Sequence, residues 1–90
     1  MQWRWIAGFL GRKAVAYDIP RPDGGIRATL YVVKLSVADL GTCPPLHPAR
    51  NTGGYCTAAW QEGRLLYVLV VHDRPEVYRR LLNQPRWPLT

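Results

Sequence analysis

The stretch Leu65–Val71, Leu-Leu-Tyr-Val-Leu-Val-Val, limits the fold more than any other part of the chain. It is too short for an ordinary helix, rich in β-branched and aromatic residues, and apolar at odd and even positions alike. A strand of that kind belongs in the middle of a sheet with both faces covered. The rest of the chain must therefore supply flanking strands and a cover for each face.

Two hairpins supply the strands. Over residues 13–19, Val15, Tyr17 and Ile19 fall on one side of a period-two pattern and Ala14, Ala16 and Asp18 on the other, which predicts a half-buried strand. Pro20-Arg21-Pro22-Asp23-Gly24-Gly25 concentrates turn residues, and residues 27–37 resume as a second strand. Residues 55–61 and 64–72 predict a second hairpin around Glu62-Gly63. Trp3-Arg4-Trp5-Ile6 alternates aromatic and polar residues and predicts a short edge strand, with Gly8 and Gly11 bracketing a bend.

Asp73 is a good N-cap residue and Pro75 suits a first helical position. Val77, Tyr78, Leu81 and Leu82 then form an apolar stripe opposite Arg79 and Arg80, and Pro85 and Pro88 end the helix. The expected fold is α+β: an antiparallel sheet of four to five strands built from two hairpins, with one C-terminal helix packed on a face. Trp60 is expected in the core, and Trp87 is expected to clip the helix end to the sheet. Ninety residues make one domain and leave no room for a second core.

Residues 38–54 carry Gly41, Pro44, Pro45, Pro48, Gly53 and Gly54, which predicts a long surface connection with no regular element. Loops of this length are often functional, so Pro44, Pro45, His47 and Arg50 are candidates for an interaction loop. Trp3 and Trp5, hard to bury so near a chain end, are candidates for an exposed patch.

The residues that carry chemistry are sparse. Cys43 and Cys56 are the only cysteines. They form either a disulfide, contributing roughly 3 kcal/mol by closing the loop, or two free thiols. Cys43-x3-His47 has ligand-like spacing, and Cys56 with His72 would complete a Cys2His2 set. That second pair is sixteen residues apart, unlike the two close pairs of structural zinc, so neither a metal nor a cofactor is expected. Cys56 with His72-Asp73 is the one conceivable nucleophile, base and orienter, but no anion-stabilising site accompanies it. Asp23-Gly24-Gly25 and Thr52-Gly53-Gly54 lack the spacing and the lysine of a phosphate loop. No enzyme is predicted.

Net charge is +6, from ten arginines and two lysines against six acids. The basic residues are scattered, with only Arg12-Lys13 and Arg79-Arg80 adjacent. Scattered charge reads first as a solvated surface; the alternative is a stand-alone nucleic-acid-binding module with arginines beside exposed tryptophans. A protein partner is expected, met through an exposed strand edge or the 38–54 loop, with a homo-oligomer as a further alternative. No segment approaches the roughly 18–20 apolar residues that span a bilayer. Residues 3–10 lack the length and cleavage site of a signal peptide.

The chain also resembles the C-terminal domains of certain bacterial anti-sigma factors. The resemblance rests on Gly11-Arg12-Lys13-Ala14-Val15-Ala16-Tyr17 and Ala28-Thr29-Leu30-Tyr31-Val32-Val33, followed by the Pro-rich connection. It continues with Thr52-Gly53-Gly54-Tyr55, Ala58-Ala59-Trp60-Gln61 and Tyr67-Val68-Leu69-Val70-Val71, covering residues 11–89. In that family a zinc-binding helical module holds the sigma factor, and a membrane helix joins it to an extracytoplasmic sensor domain. Neither part is present in these ninety residues, so no sigma-contacting residue is carried over. The resemblance implies a non-enzymatic regulatory domain that acts in transcription through protein interaction. It also implies an extracytoplasmic, oxidising setting that favours a Cys43–Cys56 disulfide, whereas a free-standing chain would be cytoplasmic.

Overall fold

The computed structural model describes residues 2–45, 47–50 and 54–83. They form six strands and a helix: β1 (Gln2–Phe9), β2 (Arg12–Pro20), β3 (Ile26–Lys34), β4 (Ala49–Arg50), β5 (Cys56–Glu62), β6 (Leu65–Val71) and α1 (Pro75–Leu82). All pair antiparallel in one sheet of order β1-β2-β3-β6-β5-β4. The fold is α+β as expected, with five long strands and a two-residue sixth.

The apolar strand β6 lies between β3 and β5, where its two-faced pattern requires it. The β2–β3 hairpin closes through Arg21, whose N–H donates to Gly25 O at 3.1 Å while its own carbonyl accepts from Gly24 N at 3.2 Å. At the β5–β6 turn Gly63 takes φ +60°, a left-handed conformation that glycine adopts at no steric cost.

Register divides the sheet into two faces. One carries Ala28, Leu30, Cys56, Ala58, Trp60, Leu69 and Val71, all buried beneath Tyr78 and Leu81 of the helix. Trp60 stacks on Tyr67 with ring centroids 5.4 Å apart. Burying a side chain as large as Trp60 or Leu30 contributes roughly 3 kcal/mol. Val77 and Leu82 complete the helical stripe as partly buried neighbours.

The opposite face has a smaller core of Ala14, Val33 and Leu66, covered by Phe9, Leu35 and Leu40. Phe9 stacks on Tyr31 at 4.8 Å. Here β2 departs from expectation. Ala14 and Ala16 are its most buried residues, while Val15, Tyr17 and Ile19 are only partly so. Short side chains let neighbouring chain close over the alanine face, whereas an eight-residue helix does not reach across all of the other.

Three further expectations need correction. β1 runs from Gln2 through Phe9, longer than the four residues of its clear alternation, and bulges between Ile6 and Phe9. Residues 38–54 do contain a regular element, since Ala49 and Arg50 pair with Thr57 and Cys56. The helix N-cap is Arg74 rather than Asp73, whose Oδ1 accepts the Arg74 N–H at 2.8 Å one residue earlier. Pro75 stands at the helix start as expected. The places assigned to Trp87, Pro85 and Pro88 lie outside the described residues.

Candidate functional site

The sheet has two long edges, and they differ. Outside β5 the chain after β3 folds back along the strand. The Gln61 N–H donates to Gly41 O at 2.9 Å. The Gln61 side chain accepts from Val37 N–H at 3.0 Å through Oε1 and donates through Nε2 to Leu35 O at 3.0 Å and Gly63 O at 3.2 Å. Farther on, the Tyr78 hydroxyl donates to Pro45 O, and β4 then pairs with β5. Burial pushes the Tyr78 hydroxyl pKa up to about 12, so it remains a donor throughout the neutral range.

The candidate interaction loop is therefore stitched to the domain. Pro44 and Pro45 are partly buried, and His47 is exposed. Arg50 belongs to β4. Cys43 is exposed and Cys56 is buried, and no disulfide joins them. The disulfide is thus not formed in this structure: the Cys56 Sγ instead donates to Asp73 O at 3.6 Å. This contact also turns the thiol toward a main-chain carbonyl, while His72 pairs through its ring with Tyr55 at 6.1 Å. Among the described residues no three His, Cys, Asp or Glu side chains gather as a metal site.

The β1 edge is different. The regular part of β1, from Gln2 to Ile6, gives roughly 16 Å of edge at about 3.3 Å per residue, before the bulge between Ile6 and Phe9 where Gly8 takes φ 76°. Among the described residues β1 hydrogen-bonds to β2 alone, so the outward groups of its alternate residues meet no strand there. Trp3 and Trp5 project on the helix-bearing face at 59% and 58% exposure. Their rings meet edge to face, with centroids 6.1 Å apart and planes at 85°. The Lys13 ammonium stands 4.5 Å above the Trp5 ring, a cation–π contact across the β1–β2 pair. Leu10, in the turn that follows, is 62% exposed and holds φ 51°.

On the other face of the same strand a polar cluster fixes β1 to the sheet. Arg4 Nε and Nη2 donate to Asp18 at 2.8 and 3.1 Å, and the buried Thr29 hydroxyl donates to Asp18 Oδ1 at 2.8 Å. Arg4 foremost, with help from Thr29, holds the Asp18 carboxyl below the usual carboxylate range. Register brings them together: Arg4 pairs with Ala16, making Asp18 its diagonal neighbour, and Asp18 faces Thr29 directly. Sequence reading picked out Trp3 and Trp5 and missed this cluster, because its members are a polar residue in each of three strands with no shared motif.

The chain matches no protein-family profile, no curated protein and no solved structure.

Proposed function

We propose that this chain is a non-enzymatic regulatory domain that captures an extended segment of a protein partner by strand addition along β1. The single observation that carries the reading is the outer edge of β1, which pairs with no other strand among the described residues and bears two tryptophans that are more than half exposed. Strand addition uses main-chain hydrogen bonds for affinity and side-chain pockets for choice of sequence. Trp3 and Trp5 offer rigid aromatic anchors of the kind that dominate interfaces. The Arg4–Asp18–Thr29 cluster holds the receiving strand in place beforehand, which lowers the ordering cost of binding. With a net charge of +6, the domain favours a segment with apolar residues at alternate positions and acidic flanks. A sensory or interaction role of this sort is also what the anti-sigma resemblance implies.

The nucleic-acid alternative is less well supported. Single-strand binders stack successive bases on aromatic faces. The two rings here stand at 85°, and Lys13 lies over one of them.

The test is a selection of displayed nine-residue peptides on the immobilised domain, with the footprint of the winners mapped by NMR. Backbone amides of β1 and the indoles of Trp3 and Trp5 are expected to shift together, and Trp5→Ala to weaken the winners about tenfold or more. Winners that map to residues 38–50 or to α1 would overturn strand addition. Sedimentation of the free domain as a dimer that dissociates on Trp5→Ala would make a second copy the occupant instead.

A further inference from the structure

Three adjacent strands, β2, β3 and β6, end side by side at the end of the sheet that holds the β1–β2 and β5–β6 turns. Each contributes a cation there: Arg12 at the start of β2, Lys34 at the end of β3 and Arg64 just before β6. With Leu35 and Ser36 they line an open hollow of about 340 Å³. Among the described residues no carboxylate lines it. Among the described residues the ion pairs are Arg4–Asp18 and Arg79–Glu76, so none of these three cations is neutralised by a partner. Arg12 is held by its Nη1 donating to Lys34 O at 3.3 Å, which leaves most of its guanidinium donors facing outward.

The opposite end of the sheet makes the contrast. Its hollows gather Arg21, Arg27, Arg74 and Arg80, but Asp23 and Asp73 line them too. Arg21 is further engaged with His72 O at 2.7 Å. Positive charge there is partly offset by the two carboxylates, and at the Arg12 end none of it is offset by a lining carboxylate.

We infer that the Arg12–Lys34–Arg64 hollow is a binding site for a phosphate group. Two guanidinium forks and one ammonium match an oxyanion with three terminal oxygens, and the Ser36 hydroxyl adds a neutral donor. Strand spacing of about 4.8 Å sets the three cation-bearing strands across about 10 Å, a span that suits a ligand with more than one phosphate. The site stands apart from the β1 edge and does not depend on strand capture.

The test is titration of the whole chain with sodium tripolyphosphate at low salt, followed by NMR. A parallel arm uses phosphatidylglycerol vesicles, to separate a free phosphate from a lipid headgroup. The expected result is saturable shifts at Arg12, Lys34, Ser36 and Arg64. Arg12→Gln with Arg64→Gln should weaken binding about tenfold, since each exposed ion pair is worth up to about 1 kcal/mol. Among the described residues the Arg64 side chain makes no hydrogen bond or ion pair, so weakening by a few-fold in Arg64→Gln checks the site without disturbing the fold. Arg74→Gln with Arg80→Gln lowers net charge equally at the opposite end and should change affinity less than twofold. Equal weakening by the two pairs would overturn the site, because binding would then follow net charge alone. Absence of saturable binding to both tripolyphosphate and vesicles would overturn it as well.

Discussion

The two edges of this one sheet are finished in opposite ways. Along β5 the chain returns upon itself, through Gly41, the Gln61 side chain, Pro45 held by Tyr78, and β4. Along β1 the strand pairs inward only among the described residues, and its tryptophans are more than half exposed. The β5 side carries the helix, the larger core and the stitched loop, so the domain's stability is concentrated there. β1 is anchored by a polar cluster that leaves the outward edge free. A region that must hold the fold together and a region that must remain available are thus separated by the width of the sheet.

Substitutions can break that comparison or sharpen it. The largest effect is expected at Tyr78→Ala, which removes a wholly buried ring and the anchor of the loop. Urea unfolding should show a loss of about 3–5 kcal/mol. Gln61→Ala unmakes three side-chain bonds on the covered edge and should cost about 1–3 kcal/mol, with faster amide exchange at Val37. Deleting residues 44–50 should likewise destabilise the domain, because this loop belongs to the covered edge.

Asp18→Ala tests the anchor of the open side. It strands the buried Thr29 hydroxyl and frees Arg4, for a cost of about 1–2 kcal/mol. The pH dependence has a definite sign. The folded-state pKa of Asp18 is depressed, so its contribution is present above the unfolded value near pH 4 and is lost as pH falls through the folded one. Acid titration of stability should therefore be flatter below about pH 4 in Asp18→Ala than in the parent.

Tyr78→Phe keeps the ring and removes one hydrogen bond, for about 1 kcal/mol. Its parent has a raised folded pKa, so stability from the neutral hydroxyl is full below about pH 10 and is lost as pH rises toward about 12. The phenylalanine variant should not show that loss. The smallest effect on stability is expected at Trp3→Ala and Trp5→Ala, within about 0.5 kcal/mol of the parent. A loss of several kcal/mol there would mean that the open edge supports the fold, and the comparison would fail.

Much of this was legible in the sequence. The two-faced pattern of Leu65–Val71 places it centrally, and the turn chemistry of Pro20 to Gly25 and of Glu62-Gly63 fixes the hairpins. Trp3 and Trp5 declare themselves because alternation with polar residues on a strand leaves one row that a small domain has no spare core to bury. What was not legible depends on register and strand order. Arg4, Asp18 and Thr29 meet only once three strands are aligned, and Arg12, Lys34 and Arg64 only once β6 is known to lie beside β3. The two-residue β4 follows from its neighbour rather than from its own propensity, and Asp73 gave way to Arg74 as N-cap by a shift of one residue.

Amide hydrogen exchange on the free domain, read residue by residue, tests the central claim most directly. If β1 is open, its outward-facing amides, every second residue of the strand, exchange fast while the inward ones are protected. The Gln61 amide on the opposite edge, bonded to Gly41 O, should be protected to nearly the same degree as β6. Uniform protection along β1, with its outward amides as slow as its inward ones, would show that the edge is already occupied and would contradict the account.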